Sequence, residues 1–228
     1  MQYSTFAAID IGSYDVILEI FEISKKQGIR SVDKICHRME LGKDTYTLGK
    51  IRPEMEEELC RVLADFVRIM EGYRVDDYRA TASSAISEAS NSLYVLGKIH
   101  QLTGFSVTVL SNSEQRFLSY KALAAMEDNF NKIIEKGTAI LDLDGGSFQI
   151  SLFDKDALVT TQNIRMGSLR IRERLAGIQS ETEHYEEMVE ELIWNEVSSF
   201  KKMYLKDRKI ENIMLIGDVF TDSVYQNI

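Results

Sequence analysis

With 228 residues, 44% hydrophobic and 28% charged, the chain has the make-up of a globular protein that buries one sizeable core or two modest ones. A formal net charge of −9 argues against a general nucleic-acid-binding surface, and no apolar run approaches the roughly 18 residues of a membrane span. Cys36 and Cys60 are too few for a disulfide framework, no His/Cys cluster has zinc spacing, and the first residues do not read as a secretory signal, so reduced thiols and a cytoplasmic location are expected.

Three β-runs open the chain at about 4–10, 14–24 and 31–41, with Gly28-Ile29 marking a hairpin turn between the second and third. Pro53, the only proline, sits where a helix begins, and Glu54, Glu56, Glu57 and Glu58 put acids near its start. Leu59, Val62, Leu63, Phe66, Ile69 and Met70 supply its apolar stripe, and Gly72 is expected to end it. A strand at about 78–82, a helix at about 84–101 stopped by Gly104, and a strand from Phe105 to Leu110 come next. Ser111 or Asn112 then caps a helix running to about residue 130. Lys136-Gly137 restarts the pattern, with strands at about 138–144, 147–154 and 157–164 and Asp154-Lys155-Asp156 as a polar turn. A helix at about 181–204 and a strand from Ile210 to Ile216 complete the series.

This order predicts an α/β protein of two ribonuclease-H-like domains, 1–130 and 131–228, with mixed sheets flanked by helices. The second domain is expected to need one or two more helices after Ile216 to cover its sheet. Either the chain is a fragment of a longer protein or a partner chain covers that face, a homodimer being one such arrangement.

A motif occurs twice. Ala7-Ala8-Ile9-Asp10-Ile11-Gly12-Ser13 returns about 130 residues later as Ala139-Ile140-Leu141-Asp142-Leu143-Asp144-Gly145-Gly146-Ser147. A strand delivering a carboxylate into a glycine–serine turn can hold a metal ion and a phosphate together, the turn's N–H groups facing the phosphate oxygens. Two copies suggest two related domains facing each other across one cleft. The other reading of Asp10 and Asp142 is that each caps its turn through its side chain. Arg165, Arg170, Arg172 and Arg174 cluster within ten residues, and most such arginines are solvated. His37, His100 and His184 have no acidic or Cys partner at catalytic spacing and are read as surface or structural.

These residues together resemble the exopolyphosphatase and guanosine pentaphosphate phosphatase (Ppx/GppA) family of the actin-like ATPase superfamily. Ala8-Ile9-Asp10-Ile11-Gly12-Ser13 is similar to its first phosphate loop, and Asp142 with Gly145-Gly146-Ser147 to its second. Leu41-Gly42, Gly49-Lys50-Ile51 and Pro53-Glu54 resemble its entry into the first long helix. Ala82-Ser83-Ser84-Ala85-Ile86, Glu88-Ala89 and Asn91 resemble its A-T-S-A-x-R-x-A-x-N segment, and Gly167, Arg170 and Glu173 its G-x-x-R-x-x-E signature. The resemblance implies removal of a terminal phosphate from polyphosphate or guanosine pentaphosphate with magnesium, a glutamate activating the water. It places Asp10 and Asp142 at the metal, and Gly12, Ser13, Gly145, Gly146 and Ser147 at the phosphate.

The departures from the family fall where that chemistry is expected. Gln115 stands at the position of its presumed catalytic glutamate, with Glu114 beside it, and Gln149 stands at that of another glutamate. Asp144 replaces a glycine, Tyr14 and Asp15 replace small polar residues, Ser87 replaces an arginine, and Ile216-Gly217-Asp218-Val219 stands in place of a G-G-T loop. Glutamine matches glutamate in shape but takes no proton near neutral pH. Glu114 is therefore either the base or a helix-start acid. Asp144, two residues beyond Asp142 on the same strand face, is a candidate metal ligand or base. Arg170 either touches ligand or plays a polar structural role with Glu173. The expected function is phosphoanhydride hydrolysis; the competing expectation is a degraded member that binds polyphosphate or a nucleotide as a sensor or scaffold.

Overall fold

Alternate side chains of the opening strand, Ala7, Ile9 and Ile11, are fully buried, as a strand with one face on a core requires. In the computed structural model, which describes residues 3–127, 129–177, 184–217 and 225–227, this strand is the middle of a five-stranded sheet. Strands β1 (Ser4–Ile11), β2 (Asp15–Ser24) and β3 (Gly28–Arg38) form an antiparallel meander. On the other side of β1 lie β4 (Asp77–Ala82) and β5 (Val107–Val109), both parallel to it. The sheet order is β3-β2-β1-β4-β5.

Helices α1 (Leu41–Leu48), α2 (Pro53–Tyr73), α3 (Ser84–Ser87) and α4 (Ser92–Thr103) complete this part of the chain. Proline at the start of α2 fixes its first turn, and Leu59, Val62, Leu63, Phe66 and Met70 pack on Ile9, Ile11, Leu18 and Ile20 in one core. Buried Asp44 closes the link from α1 to α2 by accepting from the Arg52 backbone N–H and Nε, each at 2.9 Å.

The helix expected at about 84–101 is two helices. Asn91, in the break, accepts from the Ile51 N–H at 3.0 Å and donates to the Ile51 carbonyl at 2.8 Å, so the chain there is tied to the α1–α2 link. Helix α1 lies where the third strand was expected to end, and α2 runs past Gly72 to Tyr73, with Arg74 in the left-handed conformation closing it.

The second part of the chain repeats the plan. Helices α5 (Asn112–Met126) and α6 (Phe130–Ile134) precede β6 (Thr138–Leu143), β7 (Phe148–Asp154) and β8 (Ala157–Ile164). Then come α7 (Ser168–Leu175), α8 (Tyr185–Tyr204), β9 (Asn212–Ile216) and β10 (Tyr225–Asn227). The order is β10-β9-β6-β7-β8, with β6, β7 and β8 antiparallel neighbours and β9 parallel to β6. Strand β10 is antiparallel to β9, whereas β5 in the first sheet runs parallel to β4. The polar turn between β7 and β8 is formed as expected, Lys155 and Asp156 both taking positive φ as a two-residue hairpin demands. Residues 181–183 of the expected long helix, and Asp218 and Val219 of the segment after β9, lie outside the described residues.

The two faces of the second sheet differ. Leu123, Phe130 and Ile134 of α5 and α6 pack on Ile140, Phe153 and Met214. Phe200 and Tyr204 of α8 pack on Ile150, Leu152 and Ile164 of the other face. The chain divides into compact units Met1–Ser113 and Glu114–Ile228, so nearly all of α5 and all of α6 group with the second sheet, against a sequence boundary set at residue 130. The reason is the apolar contact of Leu123, Phe130 and Ile134 with that sheet, which the chain order of the elements does not reveal. Replacing Phe66 by Ala removes the largest fully buried side chain of the first core. It should destabilise the first unit by about 3–5 kcal/mol, read as a lowered urea midpoint.

Candidate functional site

Each copy of the repeated motif forms a β-hairpin loop. The Gly12 N–H donates to the Asp15 carbonyl at 3.0 Å in the first, and the Asp144 N–H to the Ser147 carbonyl at 2.9 Å in the second. After the third strand of each unit the chain returns and donates into that loop. In the first unit the N–H groups of Met39 and Glu40 reach the Tyr14 carbonyl at 3.1 Å, and that of Gly42 reaches the Ser13 carbonyl at 2.8 Å.

In the second unit the start of α7 does the same more fully. The Ser168 N–H donates to the Asp144 carbonyl at 3.1 Å, those of Leu169 and Arg170 to the Gly145 carbonyl at 3.0 and 3.1 Å, and Arg170 Nε to the Gly146 carbonyl at 3.0 Å. Three successive carbonyls are thus turned towards α7. In a trans peptide the carbonyl and the following N–H point in opposite directions, so the N–H groups of Gly145, Gly146 and Ser147 are turned away from it. Successive N–H groups directed to one side make an anion-binding concavity. Gly167 permits the close approach, since a Cβ there would lie 2.3 Å from the Asp144 carbonyl oxygen.

Asp142 is on the buried face of β6, and Asp144, expected on the same strand face, instead opens the loop just past the strand's end at Leu143, with its carboxylate still meeting α5. Asp142 is 9% exposed and sits opposite Gln149, 8% exposed, which in turn sits opposite Asn163 on β8. This polar row lies under α5. Ser119 donates to Asp142 Oδ2 at 3.3 Å, and Gln115 Nε2 donates to Asp144 Oδ2 at 3.0 Å. One row further along, the Tyr120 hydroxyl bonds Ser151 Oγ at 2.5 Å, Ser151 Oγ lies 3.2 Å from Thr161 Oγ1, and Arg116 donates to Thr161 at 3.2 Å. Burial pushes the Tyr120 phenol above its usual range, partly offset by the hydrogen bonds of Ser151 and Thr161 and by the Arg116 charge. Asn163 Oδ1 is buried and has no hydrogen-bond partner among the described residues.

The first loop is set differently. Asp10 holds the register position equivalent to Asp142, but it is exposed, with the Thr81 hydroxyl 3.4 Å away. The Ser13 hydroxyl is buried in a triangle with Tyr46 and Ser84, at 2.6 and 3.2 Å, the last two 2.7 Å apart. Arg38 lies 3.7 Å from the centre of the Tyr14 ring. Burial raises the Asp15 carboxyl above its usual range, the Cys36 hydrogen bond opposes this, and the Glu40 charge adds to it.

The structure therefore brings together Gln115, Asp142, Asp144, Gly145, Gly146, Ser147, Gln149 and Arg170 in the second unit. Glu114 is exposed in the first turn of α5. Glu173 pairs with Arg172 at 3.1 Å, while Arg170 serves the Gly146 carbonyl. The histidines make local contacts, His37 with Glu58, His184 with Glu187 and His100 with the Phe105 carbonyl. Ser119, Tyr120, Ser151 and Thr161 were not singled out from the sequence. The available signal was the spacing of Gln115, Ser119 and Leu123, every fourth residue on one helix face.

Residues 19–228 match the model of the Ppx/GppA phosphatase family. The chain belongs to that family. It is 22% identical, over 74% of its own length and 26% of the relative's, to a bifunctional 3-dehydroquinate synthase/phosphatase of Fusobacterium nucleatum. It is 25% identical to exopolyphosphatase 1 of Mycobacterium leprae, over 63% of this chain and 41% of that one. The crystal structure of an exopolyphosphatase from Cytophaga hutchinsonii superposes with a TM-score of 0.77 at 19% identity, covering 94% of this chain and 66% of the other, which shows a shared fold. The chain thus spans less than half the length of these two curated relatives. Among its described residues no helix is long and apolar enough to cross a membrane.

Two outcomes follow for this Ppx/GppA family chain. Gly167→Ala should lower the melting temperature by several degrees, equivalent to about 2 kcal/mol or more, because the added methyl group meets backbone rather than a yielding side chain. Tyr120→Phe should cost about 1 kcal/mol at neutral pH through the lost Ser151 bond. The folded-state phenol has its pKa raised above the ordinary 10.0, so its contribution is complete below that pH and fades as pH rises through the folded value. Denaturation curves from pH 8 to about 11 should therefore fall less steeply for Tyr120→Phe than for the parent.

Proposed function

We propose that the chain is the phosphate-handling part of a Ppx/GppA-type phosphohydrolase that removes the terminal phosphate of inorganic polyphosphate or guanosine pentaphosphate with magnesium. The observation that carries this reading is the second hairpin loop. Its carbonyls are held by α7 and its N–H groups face the other way, beside Asp142 and Asp144. Such donors match the oxygens of a terminal phosphate, and the nearby carboxylates require a cation between them and that phosphate.

The residues fit magnesium bound in its usual manner. Among the described residues no group of three His, Cys, Asp or Glu is placed to cage a metal. Magnesium, however, commonly takes one or two carboxylates, keeps several waters and completes its shell with substrate phosphate. Asp142 and Asp144 would supply the carboxylates, and Asn163 Oδ1, which has no hydrogen-bond partner among the described residues, offers an acceptor to a bound water. When bound, the ion would neutralise charge on the phosphate oxygens.

The chain's own residues account for the rest. Gly145, Gly146 and Ser147 hold the terminal phosphate through backbone N–H groups, and Arg170 keeps the Gly146 carbonyl turned aside. Gln115 spends its amide nitrogen on Asp144, which leaves its carbonyl oxygen to accept from, and so orient, the attacking water. Phosphoryl transfer through a loose transition state depends more on such positioning than on a strong base. Gln149 stays an amide beside Asp142, adding no charge to the row. Asp10, Gly12 and Ser13 form the corresponding loop of the first unit, where the committed Ser13 hydroxyl leaves the backbone as the phosphate-facing group.

The same Gln115–Asp144 bond favours a second reading, a member that binds phosphate without turning it over and acts as a sensor or scaffold. Phosphate release from long-chain polyphosphate and from guanosine pentaphosphate, with and without magnesium, separates the two. Slow, magnesium-dependent release that rises about a hundredfold in Gln115→Glu is expected, since a general base contributes on that order. Binding without release in both parent and variant would establish the sensor reading, and absence of binding would defeat both.

A further inference from the structure

Helix α5 turns a polar face to the second sheet. Among its described residues only Leu123 is buried, in the second half of the helix. The half nearer the loop is attached by side-chain hydrogen bonds, and two of these end on carboxylates. Gln115 Nε2 donates to Asp144 Oδ2 at 3.0 Å, and Ser119 Oγ donates to Asp142 Oδ2 at 3.3 Å. Apolar side chains at these two positions would attach the helix without the cost of desolvating polar groups. The polar pair therefore does something other than hold α5 in place.

The two donors are four residues apart, so they share one face of α5, about 6 Å apart along its axis. Their acceptors are fixed from the other side. Asp142 is set in β6 opposite Gln149, and Asp144 opens the loop with its N–H tied to the Ser147 carbonyl at 2.9 Å. Each carboxylate thus has its backbone held by the hairpin and its Oδ2 held by the helix. Turning either one to offer both oxygens equally to a cation would give up the bond to α5.

That restriction separates cations. Magnesium demands a near-ideal octahedron, takes one or two carboxylates and keeps several waters. Calcium is larger, takes roughly six to eight oxygens and accepts carboxylates through both oxygens at once. We propose that Gln115 and Ser119 form a clamp behind the metal ligands, which holds Asp144 and Asp142 for ligation through one oxygen each and so favours magnesium over calcium. The clamp rests on the phosphohydrolase reading above and adds to it. Ser119 is a positioning residue that acts through Asp142, and Gln115 serves Asp144 as well as the attacking water.

Ser119→Ala tests the clamp, because it removes only the hydroxyl and alanine is the better helix former. Manganese(II), a spectroscopic stand-in for magnesium, is titrated into the full 228-residue chain and followed by electron paramagnetic resonance. Magnesium and calcium are then ranked by their competition with it. The parent should bind manganese and prefer magnesium to calcium. Ser119→Ala, folded by circular dichroism, should bind manganese about tenfold more weakly, as loss of a partner to a metal ligand costs, and should narrow the preference. Ser119→Thr, which keeps the hydroxyl, should retain both properties. Urea denaturation without divalent cations identifies a purely structural Ser119. Lowered metal-free stability of Ser119→Ala with unchanged affinity and preference overturns the clamp. So does a Ser119→Thr variant as impaired as Ser119→Ala. A parent that binds no manganese defeats the clamp and the magnesium reading together, whereas a flat Ser119→Ala response defeats the clamp alone.

Discussion

Both halves of the molecule depend on the same backbone contact: a hairpin loop whose carbonyls are taken up by the N–H groups of the chain returning after the third strand. Buried carbonyls need partners, and the start of a helix has N–H groups to spare. Putting the two together satisfies both and fixes which way the loop's own N–H groups face. In the second unit the contact is complete, since α7 and the Arg170 side chain hold three successive carbonyls. In the first it is looser, two carbonyls being held by the residues around the start of α1.

The same register position has different surroundings in the two units, and the covering helix is the cause. Asp142 lies on the buried face of β6 with Thr138 and Ile140, whereas Asp10 lies on the face of β1 opposite to that of buried Ile9 and Ile11. Over Asp142 runs α5, with Gln115, Arg116, Ser119 and Tyr120 meeting a polar row on the sheet. Asp10 shares its face with Phe6 and Ala8, which are only partly buried, and is itself exposed. Polar groups beneath a helix are costly unless paired, so the hydroxyl and amide contacts of α5 fix its placement more narrowly than apolar packing of Leu123 alone would. That placement decides that Gln115 meets Asp144.

Much of the architecture was legible in the sequence. Alternation in β1, proline and acids at the start of α2, and the Asp-Lys-Asp turn all act locally, and each formed as expected. The misses are elements whose cause is distant. The helix break at Asn91 is tied down by a side chain bonded to Ile51, 40 residues away, a partner that the local sequence does not announce. Helices α1 and α7 are eight residues each, too short to show a helical period, and they stand because they are seated in a loop.

By itself the sequence determined the family, the repeated strand–loop motif, the two-fold βββ plan and the glutamine at a position where a glutamate was expected, because these rest on residue identity and short-range spacing. Only the tertiary structure decided that Ser13 is occupied by Tyr46 and Ser84, that Asp142 is buried while Asp10 is not, and that Gln115 donates to Asp144. Those outcomes depend on which helix crosses which sheet face, a long-range packing choice that sets the burial and the partner of every polar group beneath it.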